Sequence, residues 1–537
     1  MPFCKQKRFY IGKQQLQVST RYNQVLTPSL DPNATLKQYW GYEGFRPLQE
    51  RIIRSLLEGR DVAVVMPTGG GKSLCYQLPA VMLGRTAIVI SPLISLMQDQ
   101  ATALARMGIP AAVINSSLTP AEQNQIMRRA EEGNYRLLYL SPERLARADT
   151  TAWLARVPVS FFAIDEAHCI SEWGHEFRPD YRLLSSLRES FPDNPIAAFT
   201  ASATRRVRHD ILQQLRLRDP DKYIASFHRP NLRYLVKKCD ARSQPRLLLS
   251  ALRAHAGDNV IIYAPTIARV QETVDFLRQR GIESIGYHGK MEAEDRKRNQ
   301  ERWMADEIRV LVGTLAFGLG INKASVRAVI HLAMPKSIEQ FYQEAGRAGR
   351  DGLPADCALL WQNRDIGLLT YFIDQLQDQQ ERERSWQRYH AIRRFAEADS
   401  CRHRQICTHF GETPKWSTCG MCDVCAESPD WLTVSASAEP EKKGRKRKAA
   451  AVAASVEPAG AIDRELLEHM REWRRGIAKR DAVPAFVILH DSTLEELCRL
   501  RPSREDQLLG IRGIGPRKSE LYGSEILAAL SDFKGRA

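Results

Sequence analysis

No stretch of this 537-residue chain approaches the roughly 20 consecutive apolar residues that a membrane-crossing helix requires. Its opening, MPFCKQKRFYIGKQQ, has no apolar core of the secretory kind. These absences argue against a membrane-spanning or secreted class, and an intracellular location is expected. Cysteine is scarce: eleven thiols, among them Cys75, Cys357 and Cys498 set singly inside apolar runs, do not make a disulfide scaffold. Acidic groups are in deficit, 63 against 78 Lys plus Arg for a net charge of +15, which favours a polyanionic partner, nucleic acid before an anionic membrane. The apolar fraction of 43% is ordinary, so a chain of this length is expected to fold as several soluble domains.

What is present is an alternation. From Leu36, short apolar runs separate helical stretches: VAVVM (62–66), AIVIS (87–91), RLLYLS (136–141), FFAI (161–164) and IAAFTAS (196–202). That is the pattern of a parallel sheet covered by helices. It returns after SFHRPN (226–231) with NVIIYAP (259–265), IRVLVGT (308–314), AVIHLAM (328–334) and CALLW (357–361), so two α/β lobes stand in tandem. A charged helical region leads to a cysteine cluster. The segment 435–460, containing KKGRKRK, is small, polar and basic, too poor in large apolar groups for a core, and is expected to be a flexible linker. Amphipathic helical patterns return from Ile462 and include the turn GIRGIGPRK (510–518).

MPTGGGKS (66–73) follows a strand pattern and opens a helix pattern, the context a phosphate-binding loop requires. Thr68, Gly69, Gly70 and Gly71 would wrap phosphates with backbone N–H groups, Lys72 would reach the β/γ-phosphates of ATP, and Ser73 would hold Mg²⁺. Met66 breaks the first glycine position of the strict motif. The run FFAI presents Asp165 and Glu166 at a strand end, where Asp165 would bind Mg²⁺ and Glu166 would polarise the attacking water. QEAGRAGRDG (343–352) in the second lobe spaces Gln343, Arg347 and Arg350 to share one face if helical. An arginine reaching across the cleft would sense the γ-phosphate. A few residues after the carboxylate pair come Trp173, His175, Phe177 and Arg178, an aromatic and basic loop suited to sensing nucleic acid.

With these elements in order, the chain from about Leu36 to Cys425 resembles the superfamily-two helicases of the RecQ family. GYEGFRPLQ (41–49) is similar to the family's adenine-reading segment, so Tyr42 and Arg46 would pack on the base and Gln49 would bond its edge. SPLISLMQDQ (91–100), SPERL (141–145), FTASAT (199–204) and GTLAFGLGINK (313–323) resemble its DNA-gripping and lobe-coupling motifs, and ISEWGHEFRP (170–179) its aromatic-rich loop. The resemblance implies ATP-driven 3′-to-5′ movement on single-stranded DNA and unwinding of partly duplex DNA. It also implies service in repair and recombination beside single-stranded-DNA-binding or recombination proteins, in bacterial cytoplasm or nucleoid. Two departures touch the second lobe: Ala264 and Pro265 replace the usual Cys and Asn, and His228 stands where an acidic residue is frequent.

CGMCDVC (419–425) spaces Cys419, Cys422 and Cys425 to share one tetrahedral zinc ion. Cys401, on a preceding helix, matches the family's fourth position, with His403, Cys407 and His409 as alternatives. The C-terminal stretches 483–502 and 508–523 resemble a helicase-and-RNase-D C-terminal (HRDC) domain, where Arg512, Arg517, Lys518 and Tyr522 are nucleic-acid-binding candidates. Only about 36 residues separate Cys425 from Ile462, too few for the winged-helix domain that many members carry there. The expected division is a tail (1–33), two RecA-like lobes (34–225 and 226–365), a helical zinc-binding subdomain (366–428), a basic linker (429–461) and a small all-α HRDC-like domain (462–537).

Overall fold

In the computed structural model, residues 31–115, 118–145, 147–314, 323–433, 463–481 and 485–533 are described. The tail up to residue 30, most of the motif at 315–322 and the basic segment 434–462 lie outside them. No described helix is long and apolar enough to cross a membrane.

Among the described residues, thirteen strands form two parallel sheets: β1 (Val62–Val65), β2 (Thr86–Ile90), β3 (Ala111–Ile114), β4 (Leu137–Leu140), β5 (Val159–Ile164), β6 (Ile196–Thr200) and β7 (Asp221–Ile224) in the first, and β8 (Leu232–Lys238), β9 (Asn259–Tyr263), β10 (Ser284–Tyr287), β11 (Val310–Gly313), β12 (Val326–His331) and β13 (Ala355–Trp361) in the second. Their orders are β3-β4-β2-β5-β6-β1-β7 and β10-β11-β9-β12-β13-β8. Central strands are buried on both faces, as parallel strands under helices must be: β2, β4, β5, β6 and β13 have every residue buried. Each large apolar side chain fully buried there contributes about 1.5–3 kcal/mol.

The two sheets do not have wholly separate cores. One apolar cluster runs from one face of the first sheet (Ile88, Phe162, Ile164) through Phe227 to Phe341, Phe395 and Phe410 on the far side. Phe227, in the segment joining the sheets, stacks on Phe410 with ring centroids 4.3 Å apart. Helices Asn363–Asp374, Gln379–Glu397 and Arg402–His409 lead to the cysteine cluster. The C-terminal region is helical, from Arg464–Arg480 to Pro516–Asp532, around its own core of Leu466, Met470, Leu494, Leu497 and Ile526.

Candidate nucleotide site and nucleic-acid interface

Strand β1 ends where the main chain turns sharply into helix Lys72–Leu83. The turn needs left-handed backbone at Gly69 (φ 80°) and Gly71 (φ 85°), and a Cβ on Gly71 would come within 2.3 Å of Gln49 Nε2, so glycine is required there on both counts. No side chain caps this helix, leaving its first N–H groups directed at the loop's concavity, an arrangement suited to anions. Lys72 Nζ donates to Met66 O at 3.1 Å. Burial pulls its pKa down, opposed by the nearby Glu166 and Asp165 carboxylates. Ser73 Oγ accepts from Gln100 Nε2 at 3.0 Å. Arg46 and Gln49 reach the same loop: Arg46 donates to Gly69 O and Gln49 Nε2 to Gly71 O at 3.1 Å, while Gln49 Oε1 accepts the Arg46 N–H at 2.8 Å. Tyr42 lies beside Arg46 and Arg512, its phenol pKa raised by burial.

Asp165 and Glu166 follow β5, beside the loop. Asp165 N donates to Ile90 O at 2.8 Å, and Asp165 Oδ1 accepts the Glu166 N–H at 3.0 Å. Burial and the Glu166 charge raise the Asp165 pKa. Burial acts on Glu166 in the same direction, but the hydrogen bond and charge of His168 outweigh it and keep Glu166 ionised. Glu166 sits at φ 48°, a left-handed conformation costly for a residue with a Cβ. Its carboxylate lies 3.3 Å from His168 Nδ1, which is 2.9 Å from Thr200 Oγ1. The Thr200 hydroxyl accepts the Ser202 N–H at 3.3 Å, and Ser202 Oγ accepts from Gln343 Nε2 at 2.7 Å. A polar path thus leads from the carboxylate in one lobe to Gln343 in the other.

The expectation that Gln343, Arg347 and Arg350 share a helix face is corrected here. The helix runs Ile338–Ala345 and is closed by Gly346, so only Gln343 is helical. The turn that follows, with Gly349 at φ 54°, nevertheless brings Arg350 to the phosphate loop, with Arg347 beside it and Tyr263. A Cβ on Gly69 would lie 3.3 Å from Arg350 Cγ. Burial, then the charges of Arg347 and Arg229, lower the Arg350 guanidinium to about 9. Arg229 was not singled out in the sequence, although it stands in SFHRPN beside His228. It donates to Thr68 O at 2.8 Å and Gly349 O at 3.1 Å, tying the loop to the arginine turn. Lys72, Arg229, Arg347 and Arg350 crowd one cleft, a charge excess that a polyphosphate would neutralise.

The aromatic loop lies against this centre. His175 stacks on His168 at 4.8 Å and lies close to Gln343, beside the polar path. Trp173 packs against two guanidiniums, Arg206 at 3.0 Å and Arg384 at 5.3 Å from its ring centroid. Neither arginine carried a sequence signal. Phe177 faces Arg182 at 5.6 Å, and the Arg178 N–H donates to Cys169 O at 2.9 Å.

The sulfurs of Cys401, Cys419, Cys422 and Cys425 lie within 4.8 Å of one another, a spread that suits four thiolates around one zinc ion with Zn–S bonds of about 2.3 Å. Cys401 is the residue that starts helix Arg402–His409, outside rather than on it. The alternatives have other partners: His403 Nε2 meets Leu232 O at 2.9 Å and its pKa falls to about 4 through burial and His228. His409 Nε2 lies 2.7 Å from Glu339, and Cys407 is buried beside Glu412. Asp423, between the ligands, donates its N–H to Tyr234 O at 3.1 Å and accepts the Val236 N–H at 3.2 Å, gripping β8. His228 also helps seat the second lobe, its ring within 4.9 Å of His403 and 4.8 Å of Trp416. Ala264 is buried, its N–H on Gly313 O at 2.9 Å.

Two of the four C-terminal nucleic-acid candidates are buried rather than displayed. Lys518 is 8% and Tyr522 4% exposed, Arg517 pairs with Glu520 at 2.7 Å, and Arg512 lies next to Tyr42.

Family models match the chain in series: DEAD/DEAH box helicase over residues 46–211, helicase conserved C-terminal domain over 243–352, RecQ zinc-binding over 363–426 and HRDC domain over 463–530. The fold is similar to that of Saccharomyces cerevisiae Dbp5 bound to RNA and ADP BeF3 (TM-score 0.51, 15% identity, 64% of this chain and 91% of that one). It is also similar to that of the helicase MrfA bound to DNA and AMPPNP (0.51, 18%, 63% and 51%). The ATP-dependent DNA helicase RecQ of Haemophilus influenzae is 33% identical, covering 93% of this chain and 96% of its own, and that of Bacillus subtilis is 33% identical, covering 93% and 98%. From near full-length similarity and the serial matches, the chain belongs to the RecQ family of ATP-dependent DNA helicases.

Proposed function

We propose that this helicase couples each ATP hydrolysed to a 3′-to-5′ step along single-stranded DNA, and so separates duplexes during repair and recombination. Lys72 and the backbone of Thr68 to Gly71 hold the phosphates, and Tyr42, Arg46 and Gln49 hold the base. Ser73 and Asp165 hold Mg²⁺, which when bound neutralises phosphate charge. Glu166 orients the attacking water, and Arg347 and Arg350 stabilise the charge that develops on the transferred phosphoryl group. The observation that carries the coupling is the polar path Glu166, His168, Thr200, Ser202, Gln343, with His175 of the aromatic loop stacked on His168 and close to Gln343. DNA on the loop shifts His175, and with it the hold on Glu166. Separating a base pair costs about 1.4 kcal/mol of stacking per step, while stacking on an aromatic side chain returns roughly 1–3 kcal/mol per base. Trp173 can therefore compensate unstacking once Arg206 or Arg384 leaves its face.

The same reading divides the chain at residues 33, 225, 365, 428 and 461, with single-stranded-DNA-binding or recombination proteins as partners and the bacterial cytoplasm or nucleoid as its place. A second reading, translocation or remodelling without processive unwinding, is favoured by the short Cys425-to-Ile462 interval. Strand displacement on 3′-tailed, 5′-tailed and blunt duplexes, in DNA and RNA, separates the two. Unwinding of 3′-tailed DNA alone supports the first reading; DNA-stimulated hydrolysis with no displacement supports the second.

A further inference from the structure

The C-terminal helical domain touches both lobes, and the two attachments differ in kind. Toward the second lobe it is held by buried charge. Arg474, 3% exposed, bonds Asp306 at 3.3 Å and Asp491 at 2.8 Å, and Asp306 also receives Lys323 Nζ at 2.7 Å and Asn259 Nδ2 at 2.8 Å. Arg309 pairs with Glu468 at 3.0 Å outside this group. Removing any member would strand a buried charge, so this attachment resists separation. Toward the first lobe the polar contacts are partly open to water. Arg106 donates to Tyr522 Oη at 2.6 Å and to Asp481 at 3.3 Å, with side chains 23% and 22% exposed for the ion pair. The Gly513 N–H donates to Gly41 O at 3.0 Å, and backbone meets backbone so closely that a Cβ on Gly41 would lie 2.6 Å from Gly515 N. Solvent-screened pairs of this sort separate at small cost.

The first-lobe attachment falls on Gly41, next to Tyr42 and a short way from Arg46, at the rim of the candidate nucleotide pocket. A body fixed to both lobes at that rim opposes any relative movement of the lobes. We propose that the C-terminal domain is a latch that travels with the second lobe and lets go of the first at Gly41, Arg106 and Asp481 in each hydrolysis cycle. Release frees the lobes and opens to solvent the Tyr522 hydroxyl that Arg106 holds in the docked state. This rests on the translocation reading, in which the lobes move against each other.

The test uses the full chain and a short, reducible bis-methanethiosulfonate crosslinker. One variant carries Arg106→Cys with Asp481→Cys, joining the domain to the first lobe; the other carries Arg309→Cys with Glu468→Cys, joining it to the second. Crosslinker-treated wild-type chain controls for reaction at native thiols. Single-stranded-DNA-stimulated ATP hydrolysis is measured before crosslinking, after it, and after reduction. The first lock is expected to cut the stimulated rate at least about tenfold, reversibly, equivalent to about 1.4 kcal/mol in barrier; the second is expected to leave it within about twofold. Undiminished hydrolysis under the first lock, or equal loss under both, overturns the latch while leaving translocation standing. A wild-type chain whose hydrolysis ignores DNA would overturn the translocation reading, and the latch with it.

Discussion

Strand β1 with its following helix and strand β9 with its following helix are the same construction, one in each lobe. Both strands are flanked on either side by other strands, and both lead into twelve-residue helices. The turns between them differ. After β1, glycines at 69, 70 and 71 hold the main chain in a cradle and the helix start has no side-chain cap. After β9, Ala264 and Pro265 lead to Thr266, whose hydroxyl accepts the Arg269 N–H at 3.2 Å. The first helix keeps its N–H groups for an external anion; the second satisfies one internally. One architecture thus yields a phosphate site in one lobe and a closed turn in the other, and the second lobe contributes to the chemistry by lending Arg229, Arg347, Arg350 and Gln343 across the cleft.

Four changes break or sharpen that contrast. Lys72→Ala, which removes the cation from the open turn, is expected to reduce ATP hydrolysis to background, measured by phosphate release with single-stranded DNA present. Arg350→Ala keeps the open turn but removes the second lobe's contribution. An arginine acting on the transferred phosphoryl group supports about 10³-fold or more in kcat, so a comparable loss is expected; a residual rate near wild type would show that Arg347 or Arg229 has that role. Gln343→Ala cuts the polar path where it crosses between lobes. DNA-free hydrolysis should persist while the stimulation by DNA falls about tenfold, a coupling change of about 1.4 kcal/mol. The smallest effect is expected from Thr266→Ala. Losing a helix cap costs about 1 kcal/mol, read as a lower denaturation midpoint, with kcat unchanged because the closed turn meets no nucleotide.

The strands that were legible in the sequence were the central ones. The four that the apolar runs did not reveal, β3, β7, β8 and β10, are the outermost strands of the two sheets. An outer strand has less surface to bury: β7, DKYI, buries only Tyr223, and β10, SIGY, alternates, whereas a central strand such as VSFFAI is buried throughout and apolar but for Ser160. The site divided in a similar way. The phosphate loop, the carboxylate pair and the cysteine cluster are local in sequence, and their spacing carries their chemistry. Arg229, Arg206 and Arg384 gain meaning only when segments far apart in the chain meet. The helical reading of Arg347 and Arg350 failed because Gly346 ends the helix one residue before the first of them. Amphipathic spacing also could not reveal that Lys518 and Tyr522 turn inward, since Tyr522 joins the apolar core of its own helical domain.

Strand β8 is also the last strand of its sheet, and its outward side is met by Asp423, which takes up the Val236 N–H and the Tyr234 carbonyl from its position between two zinc-site cysteines. An open edge of this kind is a template for pairing with another chain. Loosening the cysteine loop would bare the Val236 N–H and the Tyr234 carbonyl on that edge, so the expected early sign of chelation is association of chains, read by light scattering, before the nucleotide cleft is lost.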